Sequence, residues 1–370
     1  MQFAYNDEQQ MLHDSAVRFG SDEWNAADRL KRLAEVGEGA ARRWAQMAEL
    51  GWLMLPIAED DGGLGGGPVE VMAIVEGVGR HLMTDAYVSH CVLPAALIAG
   101  GGGHCAALLE QIGAGEVRIA AALVEEQGFD VAVISTRAVA DGDTFRLTGA
   151  KAHVEDGADA DWYLVSARTS GVSGEREGVS LFLVPRGADG LTVQRFRSVD
   201  SHRHCNLDLI DVAGIPVGAI GEAAYRIEAA LDRAIVAHLA EAVGSMEAAV
   251  AATLDYVRTR QQFGTPIGSF QVVQHKVVDM SIACEEARAL TMVATSQLAS
   301  GGDASSLIAA AKVRVAQCGI AVAQQAVQLH GGVGTSEELI VSHHLRRQMM
   351  LDLAHGDRDH HKARFAELTR

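Results

Sequence analysis

Aromatic residues are scarce, at 5% of the 370 residues. So few large rings disfavour a sandwich core and favour closely packed helices. The 5 cysteines, Cys91, Cys105, Cys205, Cys284 and Cys318, are odd in number and scattered, with no CxxC pair. That pattern gives no disulfide framework and suits reduced thiols packed in the core of a cytoplasmic protein. Positive charge is also short, with 31 Lys and Arg against 48 Asp and Glu, a formal charge of −17. The basic residues form no run, so nucleic acid is not an expected partner, although a local arginine site for a small phosphate ligand stays open. No long apolar stretch is uninterrupted: Cys91 to Leu109 contains Pro94 and four glycines, Gly100 to Gly103. Asp7 and Glu8 stand where a secretory leader would carry basic residues. The expectation is a soluble chain with no membrane partner.

What is present falls into three stretches, each larger than a supersecondary motif, as expected for a chain too long for one core. From residue 1 to 118 apolar residues recur at helical spacing, as in Trp44, Met47 and Ala48, between glycine clusters. From 119 to 221 the pattern shortens into strands: Thr144 to Thr148 alternates, Trp162 to Ala167 and Val179 to Val184 are apolar, and Asp141-Gly142 marks a hairpin turn. The polar segment Thr169 to Gly178 reads as a hairpin tip, and Pro185 closes the strand after it. From 222 to 370 four long helical patterns follow, Tyr225–Thr259, Gln271–Ser300, Ser305–Leu329 and Leu339–Leu368, enough for an antiparallel bundle. The fold class is therefore α+β.

Several motifs tempt and are set aside. Asp61 to Pro68, DGGLGGGP, is glycine-rich, but no strand feeds it and no Lys-Ser/Thr follows, so a connecting loop is expected. His343-His344, His360-His361 and His202 with His204 lack the Cys or Asp spacing that would complete a metal site, and none is expected. Ser245 and Ser269 lie outside any nucleophile elbow, which leaves hydrolysis without support.

Two segments carry a specific resemblance: RTRQQFGTPIGSFQ from Arg258 to Gln271 and QLHGGVGTSEE from Gln328 to Glu338. Preceded by AEAVGSMEAAV and spaced by one helical hairpin, they resemble the signatures of acyl-CoA dehydrogenases, and LGWLMLPIAEDDGGLGGGPVE from Leu50 to Glu70 extends the likeness to the N-terminal stretch. The resemblance implies an acyl-CoA dehydrogenase fold, with an N-terminal helical domain, a middle β domain and a C-terminal four-helix bundle. It also implies FAD, an acyl-CoA substrate, a trans-2-enoyl-CoA product and an electron-transferring flavoprotein as acceptor. In the family, matching residues reach across a dimer interface to the ADP half of a neighbour's FAD; here they are Arg260, Gln262, Phe263, Gln271, Gln328, Gly331 and Gly332. A guanidinium suits pyrophosphate, and glycines let backbone N–H groups approach it. The segments AEAVGSME and TRQQFGTPIGSFQ and the ending GDRDHH, from Gly356 to His361, are similar to the small subunit of pimeloyl-CoA dehydrogenase. That likeness implies a heterotetramer of two family subunits, with a homotetramer as the other arrangement.

The same resemblance exposes departures. Many members place the catalytic Glu nine residues after the Arg of an RD pair, which counts from Arg346 to His355 here. Another branch uses an earlier bundle helix, where this chain has Ala234. Glu241, two turns beyond Ala234 and so on nearly the same helix face, is the expected base, with His238 close by on that face; His355 and no base at all are the other readings. The flavin-ring segments differ too: VEEQGFD (Val124 to Asp130) stands where the family has Thr-Glu-Pro followed by Gly-Ser-Asp, and HVE (His153 to Glu155) where it has Trp-Ile-Thr. Two functions follow, a catalytic subunit with Glu241 as base, or a non-catalytic partner that keeps only the ADP-side contacts.

Overall fold

The computed structural model describes residues 4–370 apart from Val36 and Gln127. The elements run in the order expected: helices, strands, helices. First come α1 (Asp7–Glu23), α2 (Arg29–Ala34), α3 (Glu38–Glu49), α4 (Pro68–His81), α5 (Leu93–Ile98) and α6 (Gly103–Gly113). The strands are β1 (Ile119–Ala122), β2 (Arg137–Asp141), β3 (Thr144–Val154), β4 (Trp162–Arg168), β5 (Val179–Pro185), β6 (Leu191–Arg197) and β7 (Arg203–Val217). Then follow α7 (Ala223–Thr259), a hairpin of β8 (Gln261–Gln262) with β9 (Thr265–Pro266), α8 (Gln271–Ala299), α9 (Ser305–His330), α10 (Ile340–Leu353) and α11 (Arg358–Leu368). The glycine-rich segment after Asp61 is a loop, closed by Pro68 at the start of α4, where a missing N–H costs nothing.

The chain forms two compact units. One holds Met1–Val36, Pro68–Thr84 and Ile235–Arg370; the other holds Gly37–Gly67 and Asp85–Ala234. The N-terminal stretch is thus shared between them, and α7 passes from one to the other.

In the second unit seven strands form one sheet, in the order β1-β4-β2-β3-β7-β5, with β6 on β7 and β5 also on β4. The β4–β5 pairing closes the sheet upon itself, which removes the edges between these strands. The β2–β3 hairpin turns at Gly142, whose φ of 64° a side chain would resist. Leu147, Tyr163, Val165, Phe182 and Leu207 fill the interior.

In the first unit α7 to α10 pack around Leu239, Val243, Met246, Ala287, Ile308, Val315, Val322 and Leu351. Small residues bring the helices close, as the shortage of rings suggested. A side chain on Gly79 of α4 would overlap the Glu241 carbonyl of α7, and one on Gly244 would overlap that of Glu76. By length and composition alone α7 and the α9 region could cross a membrane; their most apolar windows are 83% and 56% buried within the protein.

One helix differs from the expectation. The rod read from Leu339 to Leu368 is broken in two, because His355 and Gly356 take left-handed φ values of 56° and 108°. Lys312 of α9, itself buried, donates from Nζ to the carbonyls of Leu351 and Ala354, drawing off acceptors that a continuous helix would use. Asp357 then caps α11 through the His360 N–H at 2.8 Å.

Candidate cofactor and acid–base site

Glu241 is 2% exposed on α7. Its carboxylate meets Arg347 of α10 in a fork, Nε to Oε1 at 2.5 Å and Nη2 to Oε2 at 2.8 Å. Bidentate pairs of this kind are the strong ones. Beside the fork, Gln348 donates to the Ala242 carbonyl at 2.8 Å, in space that exists because Gly319 has no side chain. His238 lies 4.0 Å from Glu241 Oε2. For Glu241 to take a proton from a substrate, the fork would have to open and leave a guanidinium buried without its counter-ion, which costs several kcal/mol. Arg347 escaped the sequence reading, although a signal was there: in the RD pair counted from Arg346, the second residue is Arg instead of Asp.

His355, the other residue at a family base position, stacks flat on His238, with ring centroids 5.0 Å apart and planes within 9°. Enclosure pushes its imidazole down to about 3, with the charges of Lys312 and Arg347 adding to the effect. A ring that binds protons so weakly is a poor acceptor at neutral pH. His361 donates from Nε2 to the His355 carbonyl at 3.1 Å, fixing the break between α10 and α11. The neighbouring histidines are also engaged: His343 bonds the Glu337 carbonyl at 2.9 Å, and His344 meets Ser245 at 2.9 Å with both side chains buried.

The seven residues expected on the nucleotide side come from three helix ends of the same unit. Arg260 follows the last turn of α7, Gln262 and Phe263 belong to the hairpin, Gln271 opens α8, and Gln328, Gly331 and Gly332 sit at the end of α9. All seven are exposed. Tyr256 joins the α7 and α9 ends by stacking on His330, centroids 4.3 Å apart, and Lys276 of α8 reaches Gln325 of α9 at 2.9 Å. The hairpin pairs Gln262 with Thr265 around Phe263 and Gly264, whose φ values are 54° and 79°. Such two-residue turns favour Asn-Gly, because a side chain at positive φ costs about 1 kcal/mol or more. The Phe263 ring stands edge-on to Phe270 with centroids 6.3 Å apart, yet it is 93% exposed on strained backbone, more than packing or turn chemistry calls for. A side chain on Gly331 or Gly332 would meet nothing within 4 Å, so backbone there is open to a ligand.

In the β unit Glu125 of the first ring-side segment and Asp156, just after the second, are held by internal bonds. Glu125 accepts from Lys151 Nζ at 2.7 Å and from the N–H groups of Ser135 and Thr136 at 2.8 and 3.0 Å. Gln127, in the same segment, lies outside the described residues. His153 is exposed at φ 51°, edge-on to Phe196. The turn behind it hangs on Asp156, which accepts from Ser89 Oγ at 2.6 Å and His202 Nδ1 at 3.0 Å, while its N–H donates to His204 Nδ1 at 3.1 Å. Burial would raise the Asp156 carboxyl, but the adjacent His202, with His204 behind it, outweighs burial and holds it below the usual carboxylate range.

The residues present fit the ADP half of FAD at the bundle end: a cation, amide donors, an aromatic face and open glycine backbone. Among the described residues of the β unit, an imidazole and an acid, His153 and Glu155, stand where the resemblance expects the aromatic cover and the threonine.

Comparison with known proteins agrees with the order of domains. Residues 6–124 match the acyl-CoA dehydrogenase N-terminal domain, 120–212 the middle domain and 224–368 the C-terminal domain. The chain is 30% identical over 322 residues to the probable acyl-CoA dehydrogenase fadE25 of Mycobacterium bovis, covering 83% of this chain and 81% of that protein. Butyryl-CoA dehydrogenase from Megasphaera elsdenii superposes with a TM-score of 0.91 at 26% identity, covering 100% of both chains. A steroid ACAD designated Tcur3481-Tcur3483 superposes with a TM-score of 0.88 at 28% identity, covering 98% of both chains. With its three domains matched in order and its fold shared end to end, the chain belongs to the acyl-CoA dehydrogenase family.

Proposed function

We propose that the chain is one subunit of a flavin-dependent acyl-CoA dehydrogenase, in which it supports a neighbour's FAD while the proton acceptor comes from the partner subunit. The assembly desaturates an acyl-CoA thioester to the trans-2-enoyl-CoA and passes electrons to an electron-transferring flavoprotein. FAD, when bound, accepts the hydride from the carbon β to the thioester. This chain's part is to bind and orient. Arg260 pairs with pyrophosphate, Phe263 covers an apolar face of the nucleotide, Gln262, Gln271 and Gln328 donate, and Gly331-Gly332 bring backbone close.

The observation that carries this reading is the Glu241–Arg347 fork, which closes the base position while the nucleotide end stays open. The likeness of the signatures to the pimeloyl-CoA dehydrogenase small subunit supports a two-chain tetramer, as does the double designation of the steroid relative.

A second reading keeps Glu241 as the base of its own chain. It is favoured by the place of Glu241 on the face that one branch of the family uses, with His238 beside it, and it requires Arg347 to release the carboxylate. Flavin content separates the two. The chain purified alone should hold little FAD and gain it on assembly with a second family subunit. Full flavin in the lone chain, bleached by acyl-CoA, would overturn the first reading.

A further inference from the structure

The two nucleotide-side signatures hang on helix ends, and helix ends fray unless something outside the helix holds them. Here the holding contact is specific. Tyr256 sits one turn before Arg260, and the Arg260 N–H closes on the Tyr256 carbonyl at 2.8 Å, so the orientation of Tyr256 sets where Arg260 leaves α7. Its ring lies on His330 with centroids 4.3 Å apart and planes within 26°, and its hydroxyl donates to the His330 carbonyl at 3.3 Å. That carbonyl belongs to the peptide joining His330 to Gly331. Holding one side of a planar peptide holds the other, so Tyr256 also fixes the entry to the left-handed turn at Gly331, φ 67°. His330 is anchored in its own helix, its Nδ1 donating to the Ala326 carbonyl at 2.8 Å, and is 6% exposed. It stands between Gln328 and Gly331, the two contacts it would steer.

We infer that Tyr256 and His330 are positioning residues that hold Arg260 of one signature in register with Gln328 and Gly331 of the other, so that one nucleotide can be gripped by both. The inference rests on the assignment of this end to the ADP half of FAD. It adds that the grip depends on an aromatic pair set back from the exposed signature residues, and that the stacking matters more than the hydroxyl. Removing one ring of an aromatic pair should weaken FAD binding by about tenfold, whereas removing only the hydroxyl should weaken it by about threefold or less.

The test is a titration of the assembled, flavin-stripped oligomer with free FAD, following flavin fluorescence, with thermal unfolding recorded for each variant. Tyr256→Leu and His330→Leu should each raise the FAD dissociation constant by about tenfold, and Tyr256→Phe and His330→Phe should restore binding to within about threefold of wild type. Rescue by a ring at either position is the signature that general destabilisation would not produce. Arg260→Ala runs alongside as the control for the underlying assignment. If Arg260→Ala weakens binding while both leucine variants bind FAD within twofold of wild type, the positioning role is overturned and the assignment stands. If Arg260→Ala has no effect, the assignment fails and the inference falls with it. Where Tyr256→Leu does not fold, His330→Leu and its phenylalanine rescue decide the question by the same criteria.

Discussion

The helical unit contains two regions built from the same helices and treated in opposite ways. Around Glu241 the described charges pair inside the chain: Arg347 holds the carboxylate and Lys312 takes the carbonyls at the end of α10, while Gln348 donates to a backbone carbonyl and leaves its own Oε1 without a hydrogen-bond partner. At the far ends of α7 and α9 the reverse holds. Phe263 stands 93% exposed on left-handed backbone, and the signature residues around it turn to solvent. A region whose ions are paired within the chain has less to gain from a ligand than a strained, open one. On the proposed function, the open end supports a nucleotide and the closed one serves the fold.

The contrast breaks most visibly at Arg347. Arg347→Leu strands a buried carboxylate, and the expected loss is about 3–5 kcal/mol of unfolding free energy, measured by denaturant titration. Replacing both partners, Arg347→Leu with Glu241→Leu, should recover most of that loss. A single substitution as mild as a surface change would mean that the fork is not a fixed part of the fold.

The open end should respond in binding and not in stability. Arg260→Ala removes an exposed charge, so the melting temperature should barely move, while FAD occupancy of the assembly falls by an amount equivalent to about 1.5–3 kcal/mol. Absorbance of retained flavin after gel filtration reads this. A large drop in melting temperature with flavin unchanged would reverse the assignment.

Acid sharpens the comparison from the other side. Burial pushes His344 and His361 of the helical unit down to about 3, and His90 of the β unit to about 4. Their unfolded values lie near ~6.5, so between these limits the unfolded chain binds more protons and stability falls as pH falls. Their contribution is fully present above the unfolded value and declines towards the folded ones. At pH 5.5 each such histidine should subtract about 1.4 kcal/mol relative to neutral pH. Unfolding free energy measured from pH 7.5 to 5.5 should decline accordingly, and a flat profile would show that these rings reach solvent more easily than their packing implies.

The smallest effect expected is at the hairpin tip. Phe263→Gly relieves the left-handed residue and should leave stability unchanged or raised by up to ~1 kcal/mol, while FAD retention drops. Equal retention would make the exposed ring idle.

Much of this was legible before the structure. The order of helices, strands and helices follows from the periodicity, while the nucleotide-side residues are named by the family resemblance alone and their role is a proposal. Two things were not legible. The break at His355–Gly356 depends on Lys312, more than 40 residues earlier, which takes carbonyls that a helical pattern assumes are shared within the helix. The state of Glu241 depends on Arg347, 106 residues away. Burial of a carboxylate on an apolar face could be read from its neighbours, but whether it was buried for chemistry or for a partner could not, because the partner is set by the crossing of α7 and α10. The VEEQGFD and HVE segments depart from the family pattern in the sequence itself, and the structure adds that Glu125 of the first is held by Lys151.

The central claim is that the proton acceptor of the assembly is not Glu241. The direct test is the rate of flavin bleaching by acyl-CoA in the assembled oligomer carrying Glu241→Gln together with Arg347→Gln, a pair that keeps hydrogen-bonding side chains and leaves no stray buried charge. The account predicts a rate within about threefold of wild type, with FAD content and oligomer size unchanged. A positioned general base commonly contributes ~100-fold to 10,000-fold, so a slowing of that size at full flavin content would contradict the account and return the base to Glu241.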